Sequence, residues 1–95
     1  MPRDLCFTPA TELARLYRAR TVSPLEVMRA VLERLDRVNP LVNAVVTLDR
    51  EAAIRQARRA TAALTRRSAA IGPLHGIPVG IKDVTPTKGM RTTFG

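Results

Sequence analysis

The chain has 95 residues and a formal net charge of +8, from sixteen Lys and Arg against eight Asp and Glu. That length holds one small domain with a modest core and excludes a large catalytic cavity built from these residues alone. Apolar residues make up 45% of the chain but aromatic ones only 3%, so the core has to come from Leu, Val, Ile and Ala, and the base-stacking rings that single-strand and RNA binders use are scarce.

At the start, Met1 to Phe7 lacks the apolar centre of a signal peptide, and no run of about 18 apolar residues follows that could cross a bilayer. Cys6 is the single cysteine, which rules out an internal disulfide or a cysteine-built metal site and fits a reducing cytoplasm. Its plain role is that of a small, half-buried apolar residue. Thr8 followed by Pro9 predicts an N-cap with proline at the first helical position, and Leu13, Leu16 and Tyr17 then recur at helical spacing to about Ala19. Ser23-Pro-Leu-Glu26 fits a capping box that opens a second helix. Leu25, Met28, Leu32 and Leu35, with Val31 and Val38 alongside, draw its apolar stripe. Asn39-Pro40 predicts its end, because a residue before proline avoids helical geometry.

Leu41 to Leu48 is rich in β-branched residues and predicts a short strand over Ala44 to Thr47. Asp49 caps a third helix predicted to reach about Ala69, with Ile54, Ala57, Thr61 and Leu64 on one face. Fourteen of the sixteen basic residues are Arg, and from Arg15 to Arg67 they are spread over all three predicted helices. Solvated faces, whose long stems also cover apolar surface, explain this better than a dedicated nucleic-acid site. A small basic module for RNA or acidic protein stays as an alternative of a different class.

Gly72-Pro73 breaks the third helix, and Ile77 to Asp83 predicts a strand with Pro78 at its beginning. Alternation puts Ile77, Val79 and Ile81 on one face and Lys82 on the other, beside Gly80. Thr85-Pro86 and Lys88-Gly89 are turn signals. A lysine is a base only when its amine is neutral, so a pKa of about 10.4 must fall by about three units, at a cost of about 4 kcal/mol. Burial beside glycine and β-branched neighbours supplies part of that in Lys82's setting and none of it for Lys88. On composition alone, a surface lysine at a strand end is the plainer account of Lys82.

The run from Gly72 to Gly95 changes the weighting. Its Gly-Pro-Leu-His-Gly-Ile-Pro opening, Lys82-Asp83 pair and Gly-Met-Arg-Thr-Thr-x-Gly ending resemble, in order and register, the lysine-bearing segment of the amidase signature family, serine hydrolases that cleave carboxamides. Pro86 stands where an acidic residue is more typical. Weaker similarity extends upstream through the Ser-Pro-Leu-Glu-Val helix start and Asn-Pro-Leu-Val-Asn-Ala-Val.

The resemblance implies an α/β fold. It would comprise N-terminal helices over 1–71 and a lysine-bearing strand and loop over 72–95, forming the first strands of a mixed sheet flanked by helices and completed by downstream sequence. It implies a Ser-Ser-Lys triad, in which a neutral lysine activates one serine and that serine takes the proton of the nucleophilic one. Only the lysine role maps onto this chain, at Lys82. Ser23 sits at a helix cap and Ser68 follows two arginines, so neither matches the family's serine motif, and the chain alone is expected to be inactive. Asp83 is read as orienting backbone or a nearby helix rather than pairing with Lys82, and His75 as a loop histidine with a structural hydrogen bond. Thr92 and Thr93 are read as shaping a neighbouring loop. The substrate implied is a small-molecule amide, with no cofactor, metal or membrane, nucleic acid disfavoured, and room for a homodimer of the complete enzyme. A second option within the family is the A component of a transfer-RNA-dependent amidotransferase.

Overall fold

The computed structural model describes residues 4–66, 71–83 and 85–93. A 3-10 turn, Leu5–Phe7, precedes α1 (Ala10–Arg18), α2 (Pro24–Val42) and α3 (Arg50–Leu64). Beyond α3 the described backbone is irregular, apart from one antiparallel bridge between Thr87 and Met90. The helices were expected; the two strands were not found among the described residues.

Asp4 caps the 3-10 turn by accepting from the Cys6 N–H at 3.1 Å. The cap of α1 departs from expectation. Pro9 occupies the N-cap position without a side-chain bond, because the Thr8 hydroxyl turns back and donates to the Asp4 carbonyl at 2.9 Å. At its other end α1 closes in a Schellman motif: the N–H groups of Arg20 and Thr21 donate to the carbonyls of Tyr17 and Leu16, both at 3.1 Å. Arg20 takes the left-handed conformation that this closure demands (φ 58°), a position where glycine is commoner.

The Ser23 half of the predicted capping box opens α2. Ser23 Oγ accepts from the Glu26 N–H at 3.1 Å and donates to Glu26 Oε1 at 3.3 Å, with Pro24 in the first turn. The helix does not stop at Asn39-Pro40; it runs to Val42, where Asn43 (φ 49°) ends it. Pro40 is tolerated because it lies in the last turn, where the ring deprives a single carbonyl of its partner. Asn39 then explains the missing strand over 44–47. Its side-chain amide donates to the Val45 carbonyl and accepts from the Val45 N–H, each at 2.9 Å, so a side chain takes the two bonds that a neighbouring strand would have made.

Asp49 caps α3 through the Ala52 N–H at 3.0 Å. The helix ends at Leu64, with Thr65 folding its hydroxyl onto the Ala62 carbonyl at 2.7 Å; residues 67–69 of the longer predicted helix lie outside those described. α2 packs along α3. Thr61 Oγ1 accepts the Leu25 N–H at 3.1 Å while donating to the Ala57 carbonyl at 2.9 Å. At the far end Arg50 pairs with Asp36 at 2.5 Å.

Leu13 and Tyr17 of α1 and Val27 of α2 form the innermost cluster, with Leu5, Val22, Val31, Leu64 and Ile77 packed around it. Val27, completely buried, is absent from the predicted stripe, because α2 is covered on two sides and two rows of side chains share the work. Burying such a side chain is worth about 1.5–3 kcal/mol. Cys6 is half-buried as expected, its Sγ 3.5 Å from the Ala30 carbonyl.

Candidate active site around Lys82

The Gly72 to Gly76 loop is where the lysine segment joins the helices, and three helices hold it. Tyr17 of α1 donates its hydroxyl to the Gly76 carbonyl at 2.9 Å. His75 Nε2 lies 2.8 Å from the Ala60 carbonyl of α3; a carbonyl only accepts, so this nitrogen carries the proton. Gly76 itself has φ +74° and sits against α2: a Cβ there would meet Pro24 Cγ at 2.6 Å and Tyr17 Cε2 at 3.2 Å. Glycine is required on both counts, by backbone conformation and by space. The crevice left between Tyr17, Leu64, Pro73 and His75 has about 10 Å³, the room of a single water.

Tyr17 is only 2% exposed, and its burial pushes the phenol up to about 12. It therefore stays a protonated donor across the physiological range. The sequence marks it as a helix-stripe residue; its bond across 59 positions to Gly76 was not legible there. The one available signal was the glycine inside Leu-His-Gly-Ile, which announces a close approach without naming the partner. The structural hydrogen bond expected of His75 is present.

From Ile77, packed on the core, the chain runs to Lys82 without pairing as the predicted strand. Three features account for this. Pro78 has no N–H to give, no second strand lies alongside among the described residues, and Val79 and Ile81 are 70% and 56% exposed instead of covered. Lys82 is exposed as well, its carbonyl accepting from the Thr85 N–H at 3.0 Å.

Asp83 clasps Thr93. Its Oδ1 accepts the Thr93 N–H at 2.7 Å, and its Oδ2 accepts the Thr93 hydroxyl. The carboxylate thus organises backbone ten residues on, closing a loop that contains the Thr87–Met90 bridge and the positive-φ Gly89. Of the two serines, Ser23 caps α2 and Ser68 lies outside the described residues.

Among the described residues the arginines are exposed on every helix. Arg34 alone is partly covered, its guanidinium stacked over the Phe7 ring at 4.5 Å. No helix is long and apolar enough to cross a membrane among those described.

Comparison with known proteins adds the wider setting. The model of the family described as Amidase matches residues 26–95, a stretch that includes the whole lysine segment. An acylamidase of Rhodococcus erythropolis is 43% identical over 96 residues, covering 98% of this chain and 19% of the relative. The A component of the glutamyl-tRNA(Gln) amidotransferase of Acidothermus cellulolyticus is 44% identical over 92 residues (97% of this chain, 18% of the relative). Its counterpart in Geobacter sp. strain M21 is 46% identical over 86 residues (88% and 17%). The chain thus spans less than a fifth of these relatives' length. No solved structure matches it.

Proposed function

The chain belongs to the amidase family, and on that premise we propose that it is the lysine-bearing part of an amide-hydrolysing domain, with Lys82 as the general base. The reading is carried by the family match across residues 26–95, which takes in the Gly-Pro-Leu-His-Gly loop, Lys82, Asp83 and the Thr92-Thr93 pair together. In the proposed reaction, a serine contributed by the remaining four-fifths of the domain attacks the amide carbonyl carbon. Its proton passes through a second serine to the neutral Lys82 amine. The C–N bond then breaks as a proton returns to the leaving nitrogen, and water releases the acyl-enzyme. Asp83 supports this by fixing the following loop through Thr93. The substrate is a small carboxamide, no cofactor enters, and the setting is cytoplasmic.

The base must be uncharged when it acts. Residues outside this chain therefore have to cover Lys82, which the chain by itself leaves exposed. The test compares a polypeptide of the relatives' length with its Lys82→Met variant on an aryl amide. The variant is expected to lose at least about 10²-fold in kcat, the range a general base supplies, and the 95-residue chain to show no turnover. Full turnover without the lysine nitrogen sinks the reading.

A second reading is the A component of an amidotransferase, favoured by the relatives of that name at 44% and 46% identity. It differs in requiring partner proteins before the released ammonia is put to use, so activity that appears only on adding them would select it.

A further inference from the structure

We propose that Tyr17 and His75 are positioning residues for Lys82, setting from the helical side where the lysine segment delivers its amine. The inference rests on Lys82 being the base. Its grounds are geometric. The loop at the root of the lysine segment is triangulated by three separate helices: the Tyr17 hydroxyl on the Gly76 carbonyl from α1 (2.9 Å), the Ala60 carbonyl under His75 from α3 (2.8 Å), and Pro24 of α2 against the open face of Gly76. Each polar side chain is committed to that one place. Tyr17 is buried, and the ring of His75 reaches back fifteen residues to α3.

What leaves this junction is an arm of six residues beyond Gly76, ending at Lys82, at most about 20 Å long. Pro78 holds φ fixed near its base, and Ile77 is packed into the core cluster, so an angular error at the root is carried outward. Over an arm of that length, a rotation of about 3° moves the far end by about 1 Å, and a misplacement of that size at a reacting group costs on the order of 10²-fold in rate. The polar pair therefore acts on the base through the arm, at a distance at which neither side chain touches substrate.

The experiment uses a polypeptide of the relatives' full length hydrolysing an aryl amide. Tyr17→Phe keeps the ring against Gly76 and Pro24 and removes only the donor. It is expected to lower kcat about tenfold with KM unchanged within about twofold, while thermal unfolding shows the enzyme still folded at the assay temperature. His75→Ala should do the same, and His75→Gln, whose side-chain amide again offers an N–H to Ala60, should recover most of the loss. Purely structural residues would lower the melting temperature without this split between kcat and KM and without rescue by glutamine. Wild-type kcat in both Tyr17→Phe and His75→Ala, beside an inactive Lys82→Met, overturns the positioning role and leaves the base intact. Full activity of Lys82→Met overturns both.

Discussion

Tyr17 shows how much one buried hydroxyl can tie together. It is the only tyrosine, it sits in the innermost cluster, and its pKa is pushed up to about 12 because burial disfavours the phenolate. The sign of the pH effect follows. The folded value lies above the unfolded value of about 10, so the neutral phenol's contribution to stability is complete below about pH 10 and is lost as pH rises from about 10 to about 12. Two measurements check this. Ultraviolet titration of the phenolate, which reports this residue alone, should give a midpoint near 12, and an ordinary midpoint near 10 would contradict the burial. The melting temperature of the native protein should also fall more steeply between about pH 10 and about pH 12 than that of Tyr17→Phe. Gly76, opposite, has the complementary property, being defined by what cannot be attached to it.

At the scale of elements, the starts of α2 and α3 and the end of α1 were readable, whereas the cap of α1 and the end of α2 were not. Ser23 and Asp49 announce α2 and α3 because a cap is a local event, a side-chain oxygen meeting an N–H three residues on. Ends depend on what the chain does next. α2 passes through Pro40 because Asn39 and Asn43 terminate it two residues later, one by gripping Val45 and the other by adopting a left-handed backbone. The β-branched run after Pro40 still reads as a strand, since strand formation requires a partner that no local pattern encodes. Asn39 is accordingly the hinge of the α2–α3 hairpin. Asn39→Ala strips both bonds from the Val45 backbone and is expected to destabilise the protein by about 1–3 kcal/mol, visible as a lower urea midpoint with an unchanged slope. Asn39→Asp, which keeps the acceptor and loses the donor, should fall between the two.

On the scale of the whole molecule, the radius of gyration is 14.3 Å, against about 12 Å for a compact domain of this length. The excess has a visible source. Leu41, Val42 and Val46 stand 83%, 60% and 66% exposed beside an apolar groove lined by Cys6, Val31, Leu35 and Val38, and Val79 and Ile81 are uncovered on the lysine segment. Surface of this kind recruits partners or aggregates. The 95-residue chain is therefore expected to bind a hydrophobic dye such as ANS and to self-associate as its concentration rises, while a polypeptide of the relatives' length does neither. Equal dye binding per molecule by the two would show that the exposed side chains stay uncovered. The candidate site was legible only as neighbours in sequence. Lys82, Asp83 and the glycine and proline punctuation could be picked out because they lie close together in sequence. The Tyr17–Gly76 and Asp83–Thr93 bonds could not, since they join positions 59 and ten residues apart.

The narrowest dimension of the molecule is 21 Å, so half its thickness is about 10 Å, close to one helix diameter. A slab so thin has no deep interior: a charge set anywhere within it polarises water on one side or the other, and the effective dielectric stays high. On the proposed reading of Lys82 as the base, the dry medium in which oriented dipoles act strongly on a developing charge would have to come from a second layer laid across the uncovered rim from Val79 to Lys82.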